Sequence, residues 1–230
     1  MYGGGEVSEL GGKFDIEYKN NIEVGTASIT VTSLEEDFKG QISAEFEIKP
    51  LEDIFSDIKY DDWFFNSVNY MYTNSYMSGT DSKKFSPNDT LTRAMAVEIL
   101  YRTSDGMGIG DKTFKDVSKD AYYYEAVRWA VQNKITEGYN DEYFAPDDPI
   151  TREQLMAMLY RYSGGEGDTA KEELTYIDSA DINAYALDAA GWMTKNNIIT
   201  GYADNTLRPK NNVSRAETAA ILERLSEINN

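Results

Sequence analysis

From residue 51 onward the sequence repeats itself. A shift of 59 places Phe55 on Phe114, Asp57 on Asp116, Gly79 on Gly138, Phe85 on Phe144, Pro87 on Pro146 and Arg93 on Arg152. A further shift of 63 carries Tyr122 to Tyr185, Trp129 to Trp192, Gly138 to Gly201, Pro146 to Pro209 and Arg152 to Arg215. Such self-similarity means that one small unit, too short to bury its own apolar face, is stacked on copies of itself. Three copies of about sixty residues are therefore expected to share a core.

Each copy reads as helix, loop, helix. The first helix, near Asp62 to Tyr72 in copy one, places Phe65, Val68 and Tyr72 on one face, as do Ala126, Trp129 and Ala130 in copy two. The second helix opens at Thr92, Thr151 or Ser214, each a good N-cap. In Thr151-Arg-Glu-Gln154 and Ser214-Arg-Ala-Glu217 the fourth residue can reach back to the cap amide; Met95 breaks that box in copy one. Gly106 to Gly110 and Gly164 to Gly167 link the copies.

The first fifty residues have period two instead. Phe14, Ile16 and Tyr18, then Ala27, Ile29 and Val31, then Ile42, Ala44, Phe46 and Ile48 alternate with polar residues, as in half-buried strands. Asn20, Asn21 and Gly25 divide the first two strands, and Lys39-Gly40 precedes the third.

Composition narrows the chemistry. The chain has 22 Lys and Arg against 40 Asp and Glu, a net charge of -18, with no His and no Cys. An acidic field of that size repels phosphate backbones and anionic lipid heads, so neither nucleic acid nor a membrane is an expected partner. Without imidazole or thiol there is no Ser-His-Asp triad, no cysteine nucleophile and no ordinary zinc site. No cofactor, metal or catalytic residue is expected. The start, MYGGGEVSEL, lacks a basic then apolar leader, so any secretion signal would lie upstream.

The stretches GTDSKKFSPNDTLTRAM, GYNDEYFAPDDPITREQ and GYADNTLRPKNNVSRAE resemble the loop and helix start of S-layer homology domains. The resemblance implies a mainly α fold, a pseudo-threefold trefoil of three helix-loop-helix repeats at residues 51–108, 109–170 and 171–230. The stretch from Tyr18 to Pro50 resembles the closing strands of a bacterial immunoglobulin-like module, so residues 1–50 are expected to be a short antiparallel β segment at the tail of a longer polypeptide. By that resemblance the chain is a noncovalent, extracellular cell wall or S-layer anchor. Its partner would be secondary cell wall polysaccharide ending in pyruvylated N-acetylmannosamine, held in grooves between repeats by a monomeric chain. Departures from the family pattern lie at Met95, at Gln154, at Ile177-Asp178 and at Leu207.

Twelve residues at matched positions are the candidate ligand-binding set. Arg93, Arg152 and Arg215 put a planar fork of donors at the start of a helix, suited either to a sugar carboxylate or to pairing with one of the many acids nearby. If they bind sugar, replacing one costs affinity and leaves stability little changed. Gly79, Gly138 and Gly201 either let a ligand approach bare backbone or permit a positive φ. Trp63, Tyr122 and Tyr185 are candidate stacking faces or core residues, and Asp57, Asp116 and Asp178 are candidate acceptors of sugar hydroxyls or helix caps. Two rival readings are a wall-degrading glycoside hydrolase and a structural subunit that self-assembles into a surface layer. The first would need a carboxyl pair set apart in a cleft, the second an exposed sheet edge that joins chains.

Overall fold

The computed structural model describes residues 14–19, 24–34, 40–104, 106, 108–165 and 174–228. The expected turn at Asn20-Asn21, Lys39, and parts of both Gly-rich linkers lie outside them.

The period-two segment forms a three-stranded antiparallel sheet in the order β1-β2-β3, with β1 at Phe14–Lys19, β2 at Gly25–Ser33 and β3 at Gln41–Ile48. Ile16 pairs with Val31, which pairs with Ile42; Ala27 pairs with Phe46. This register stacks apolar residues on one face, as alternation requires. The expected half-burial fails on β3, where Ile42 is 70% and Phe46 38% exposed, although Ala27 beside Phe46 on the central strand is buried.

The remaining residues carry helices α1 (Leu51–Ile54), α2 (Phe65–Thr73), α3 (Arg93–Thr103), α4 (Tyr124–Gln132), α5 (Arg152–Tyr162), α6 (Leu187–Lys195) and α7 (Arg215–Ile228). Repeat one holds α2 and α3, repeat two α4 and α5, repeat three α6 and α7. The long helix of each repeat packs on the short helix of the next: α3 on α4, α5 on α6, and α7 back on α2. Three copies thus close into a ring, the trefoil that the resemblance implied. No described helix is long and apolar enough to cross a membrane.

The short helices stop in the same way three times. Ser75, Lys134 and Asn197 have φ of 62°, 58° and 56°, the left-handed conformation. The next residue then bonds back across the last turn, Tyr76 N–H to Met71 O, Ile135 N–H to Ala130 O and Ile198 N–H to Met193 O, each at 2.9 Å. This is the usual left-handed closure of a helix C-terminus, made here without glycine. The buried face of α2 is Val68 and Met71 with Ser67, while Phe65 and Tyr72 lie at its margin, so the core stripe is turned slightly from the one the spacing suggested.

On the pseudo-threefold axis the backbone itself is cyclic. Leu91 N–H donates to Val213 O (2.9 Å), Val213 N–H to Ile150 O (3.1 Å) and Ile150 N–H to Leu91 O (3.0 Å), with all three side chains fully buried. Buried amides must find acceptors. In this ring each finds one only in a neighbouring repeat, so no single repeat can satisfy its own axis.

Candidate functional site

Each seam is built from the start of a long helix and the loop of the following repeat. An α-helix begins with four amides that lack partners inside the helix. Here the first two are taken by the next repeat: Arg93 and Ala94 N–H donate to Asp148 O and Pro146 O, Arg152 and Glu153 to Asn211 O and Pro209 O, Arg215 and Ala216 to Asp89 O and Pro87 O, all at 2.9 to 3.0 Å. The third amide goes to the cap hydroxyl, Met95 N–H to Thr92 Oγ1, Gln154 to Thr151 and Glu217 to Ser214. Reciprocal boxes form at Thr151 N–H to Gln154 (2.9 Å) and Ser214 N–H to Glu217 (2.9 Å), as the sequence indicated. The helix-start amides are therefore occupied by protein, which removes them as an anion cradle.

The arginines extend the same interlock. Arg93 Nε donates to Phe144 O (3.0 Å) and Nη2 to Glu137 O (2.9 Å); Arg152 does so to Leu207 O (2.9 Å) and Thr200 O (3.4 Å); Arg215 to Phe85 O (2.9 Å) and Ser78 O (2.6 Å). Aromatic rings cover them, Phe144 and Tyr139 at Arg93, Tyr202 at Arg152 and Phe85 at Arg215, with centroids 4.6 to 4.9 Å from the guanidinium carbon. Burial disfavours the charge at Arg93 and Arg215, and nearby Tyr139, Asp148 and Asp116, or Asp89, Tyr122 and Asp57, partly restore it. Neither sequence alternative anticipated this. The fork reads two backbone carbonyls of a neighbouring repeat, so the expectation that its loss leaves stability little changed is replaced by the opposite one: removal strands one buried and one partly buried acceptor. Of these three arginines, Arg152 also places Nη1 on a carboxylate, that of Glu217 at 3.4 Å, which Tyr202 OH also reaches.

The aspartates hold the loops. Asp57 accepts from the Phe85 and Ser86 amides (2.9 and 2.8 Å), Asp116 from Phe144 and Ala145, and Asp178 from Leu207 and Arg208. The second residue of each pair is left-handed, with φ of 58°, 57° and 54°. Such backbone is unfavourable outside glycine and persists only where its surroundings fix it. The carboxylates are loop clamps, not the helix caps that the sequence offered as an alternative. Gly79, Gly138 and Gly201 do not have positive φ, which corrects the turn reading. A Cβ on them would press on the Phe55, Phe114 or Tyr176 ring and come within 2.6, 2.6 and 2.9 Å of the carbonyls of Asp81, Asn140 and Thr206. They are bare because the loop folds against them.

The aromatic set differs from the rest. Trp63, Tyr122 and Tyr185 are 67%, 61% and 48% exposed, so the core reading fails and three faces stand open at the rims of the seams. Tyr122 lies in the fields of Glu98, Arg102 and Arg215, and burial of its hydroxyl, followed by Glu98, raises its pKa.

Sequence reasoning missed one cluster. Glu153, 3% exposed, accepts from Asn183 N–H (3.0 Å), Asn183 Nδ2 (2.7 Å), Tyr185 OH (3.0 Å) and Lys210 Nζ (2.8 Å). Desolvation pushes its pKa up, but the Asn183 amide, Lys210 and Tyr185 outweigh that and hold it below the ordinary value. Burial and the Glu153 bond together push the Tyr185 phenol up to about 12. The available signal was the repeat itself, since Glu153 stands where the other copies have Ala94 and Ala216.

A closed ring of three helix pairs, interlocked through loops and rimmed by exposed aromatic faces, defines a repeat module of fixed copy number. The chain belongs to the S-layer homology domain family, whose sequence model matches residues 54–96, 113–156 and 178–219. It is similar to an endoglucanase of Bacillus sp. (strain KSM-635), 32% identical over 178 residues that cover 74% of this chain and 18% of the relative. It is also similar to a surface-layer 125 kDa protein of Lysinibacillus sphaericus, 30% identical over 66% of this chain and 13% of the relative. A third relative, a cellulosome-anchoring protein of Acetivibrio thermocellus, is 28% identical over 66% of this chain and 35% of its own length. The chain thus spans about a third or less of these relatives.

Proposed function

We propose that this chain is a noncovalent cell wall anchor, which holds the polypeptide that carries it at the outer surface of a bacterium by binding a secondary cell wall polysaccharide. The observation that carries the reading is the set of three exposed aromatic residues, Trp63, Tyr122 and Tyr185, at matched positions on the rims of seams in a family member whose relatives include surface-layer and anchoring proteins. An exposed ring beside a seam offers a pyranose a flat apolar face. We take a pyruvylated N-acetylmannosamine terminus, the ligand that the resemblance to this family implies, as the group bound. Binding of this kind needs no catalytic group, and the endoglucanase relative is matched over only 18% of its length. Purified chain is expected to sediment with cell wall sacculi that retain their polysaccharide and to stay in solution with sacculi stripped of it. Equal sedimentation with both would refute the proposal.

A further inference from the structure

The seam between repeats two and three carries a group of donors that the other two seams lack. Asn183 offers its amide and side chain, Tyr185 its hydroxyl and Lys210 its ammonium, and all four donors converge on the carboxylate of Glu153. At the matched positions, the seam between repeats one and two has Ala94 facing Asp120, Tyr122 and Asp147, and the seam between repeats three and one has Ala216 facing Asp61, Trp63 and Asn88. Where the carboxylate is missing, the ammonium and the side-chain amide that hold it are missing too: acids stand in place of Asn183, and an acid or a neutral amide in place of Lys210. In the same seam Glu217 occupies Arg152, a pairing whose matched positions are Gln154 beside Arg93 and Met95 beside Arg215.

We infer that Glu153 is a built-in ligand: its side chain fills a carboxylate socket formed by Asn183, Tyr185 and Lys210, and thereby closes this seam to anionic sugars. The socket has the composition of an anion receptor, with two amide donors, a phenol and a cation around one carboxylate. It faces solvent, since Asn183 is exposed, Tyr185 is 48% exposed and the Lys210 side chain 47%, so an outside carboxylate can reach it once Glu153 is gone. An incoming carboxylate must displace one that is tethered to the same protein and already bonded four times, a competitor with a large effective concentration. The closing of the seam to a sugar rests on the proposed glycan binding; the socket itself does not.

The test uses the full chain in three forms, wild type, Glu153→Ala and Glu153→Gln. Alanine is the residue of the other two repeats at this place, so the first variant fits the fold. Glutamine keeps the socket sterically filled. Thermal melts are recorded in sodium acetate and in sodium chloride of equal ionic strength. Acetate is expected to raise the melting temperature of Glu153→Ala by several degrees over chloride, and to leave wild type and Glu153→Gln unmoved. Absence of that selective rise, or an equal rise in all three, overturns the socket. Amide spectra are then followed while the methyl glycoside of pyruvate-ketal N-acetylmannosamine is titrated. In wild type the Trp63 indole N–H is expected to shift and the Asn183 amide to stay still; in Glu153→Ala both shift. Movement of the Asn183 amide in wild type, to the same extent as in the variant, overturns the closed seam. A sugar that moves no signal in either protein refutes the proposed function, while the acetate melts still decide the socket.

Discussion

The seam between repeats three and one and the seam between repeats two and three share a backbone and differ in their acids. In both, a helix-start arginine crosses to two carbonyls of the next repeat, Phe85 and Ser78 for Arg215, Leu207 and Thr200 for Arg152. In the second, Glu217 and Glu153 then answer the cations from within; in the first, the matched residues are Met95 and Ala216. Structure is thus held by the part that repeats, and the seams differ in the part that does not. A residue found three times at one position in this molecule is read first as a piece of the interlock.

The largest effect that would break this division is expected from the shared part. Arg215→Ala should lower stability by about 3 kcal/mol, since one buried and one partly buried carbonyl each lose a charged donor. At this size that corresponds to a melting temperature lower by roughly 6 to 12 °C. Arg215→Lys should recover only part of it, because one ammonium cannot span both acceptors as a guanidinium does. Denaturant titration checks both, and an unchanged midpoint for the alanine variant would return the arginine to a purely ligand-facing role.

The next effect separates the two seams. Glu153 is held below its ordinary pKa of 4.5, so in the folded state it stays ionised where the unfolded carboxyl takes up a proton. Its contribution is complete above about pH 4.5 and is lost as the pH falls through the depressed folded value. A gap of about 1 to 3 kcal/mol between wild type and Glu153→Ala is expected at pH 7, narrowing as the solution is acidified below that point. A gap that stays constant down to strongly acidic pH would show that Glu153 acts through packing and not through charge.

At the alkaline end the same seam gives a smaller, spectroscopic signal. Burial, followed by a bond to a carboxylate, holds Tyr185 and Tyr202 up to about 12. Stability that depends on their protons is present below pH 10 and is lost between pH 10 and about 12. Phenolate absorbance should show Tyr185 and Tyr202 among the late tyrosines, and Tyr185 should titrate at lower pH in Glu153→Ala. If both stay late in that variant, the bond to Glu153 is not what raises Tyr185.

Smallest of all should be the response of binding to salt and to neutral pH. A chain of net charge -18 that binds an anionic sugar does so against its mean field, so moderate salt screens repulsion and local attraction together. Affinity is expected to stay nearly flat with salt, and flat from pH 6 to 8 in a chain without His. Calorimetric titration checks this, and a steep fall with salt would point to a basic patch in place of short contacts.

How much of this was legible in the sequence depends on the range of the interaction. The caps at Thr92, Thr151 and Ser214, and the boxes at Gln154 and Glu217, were readable because a cap and its partner are three residues apart. The strands 14 to 48 were readable from alternation, although alternation could not show that Ile42 and Phe46 stay exposed. Repetition located the right loops and helix starts but not their roles. Arg93 meets Phe144 51 residues away and Arg215 meets Phe85 130 residues away, so no local pattern reveals that a guanidinium will be spent on carbonyls. Gly138 looked like a turn glycine, yet what excludes a side chain is the Phe114 ring, 24 positions earlier by subtraction. Glu153 was passed over in the sequence, because its meaning lay in Lys210, 57 residues on.

The return of α7 onto α2 also sets an order of events in time. Two of the three seams join neighbours along the chain, whereas the third joins Arg215 to Ser78 across 137 residues. On a ribosome, repeats one and two can dock as soon as both have emerged, but repeat one must wait with its α2 face uncovered until the last helix has been made. Closing so long a loop is the costly step of folding. The rate at which the chain matures should therefore follow substitutions at the Arg215 seam, and those at the Arg93 seam far less.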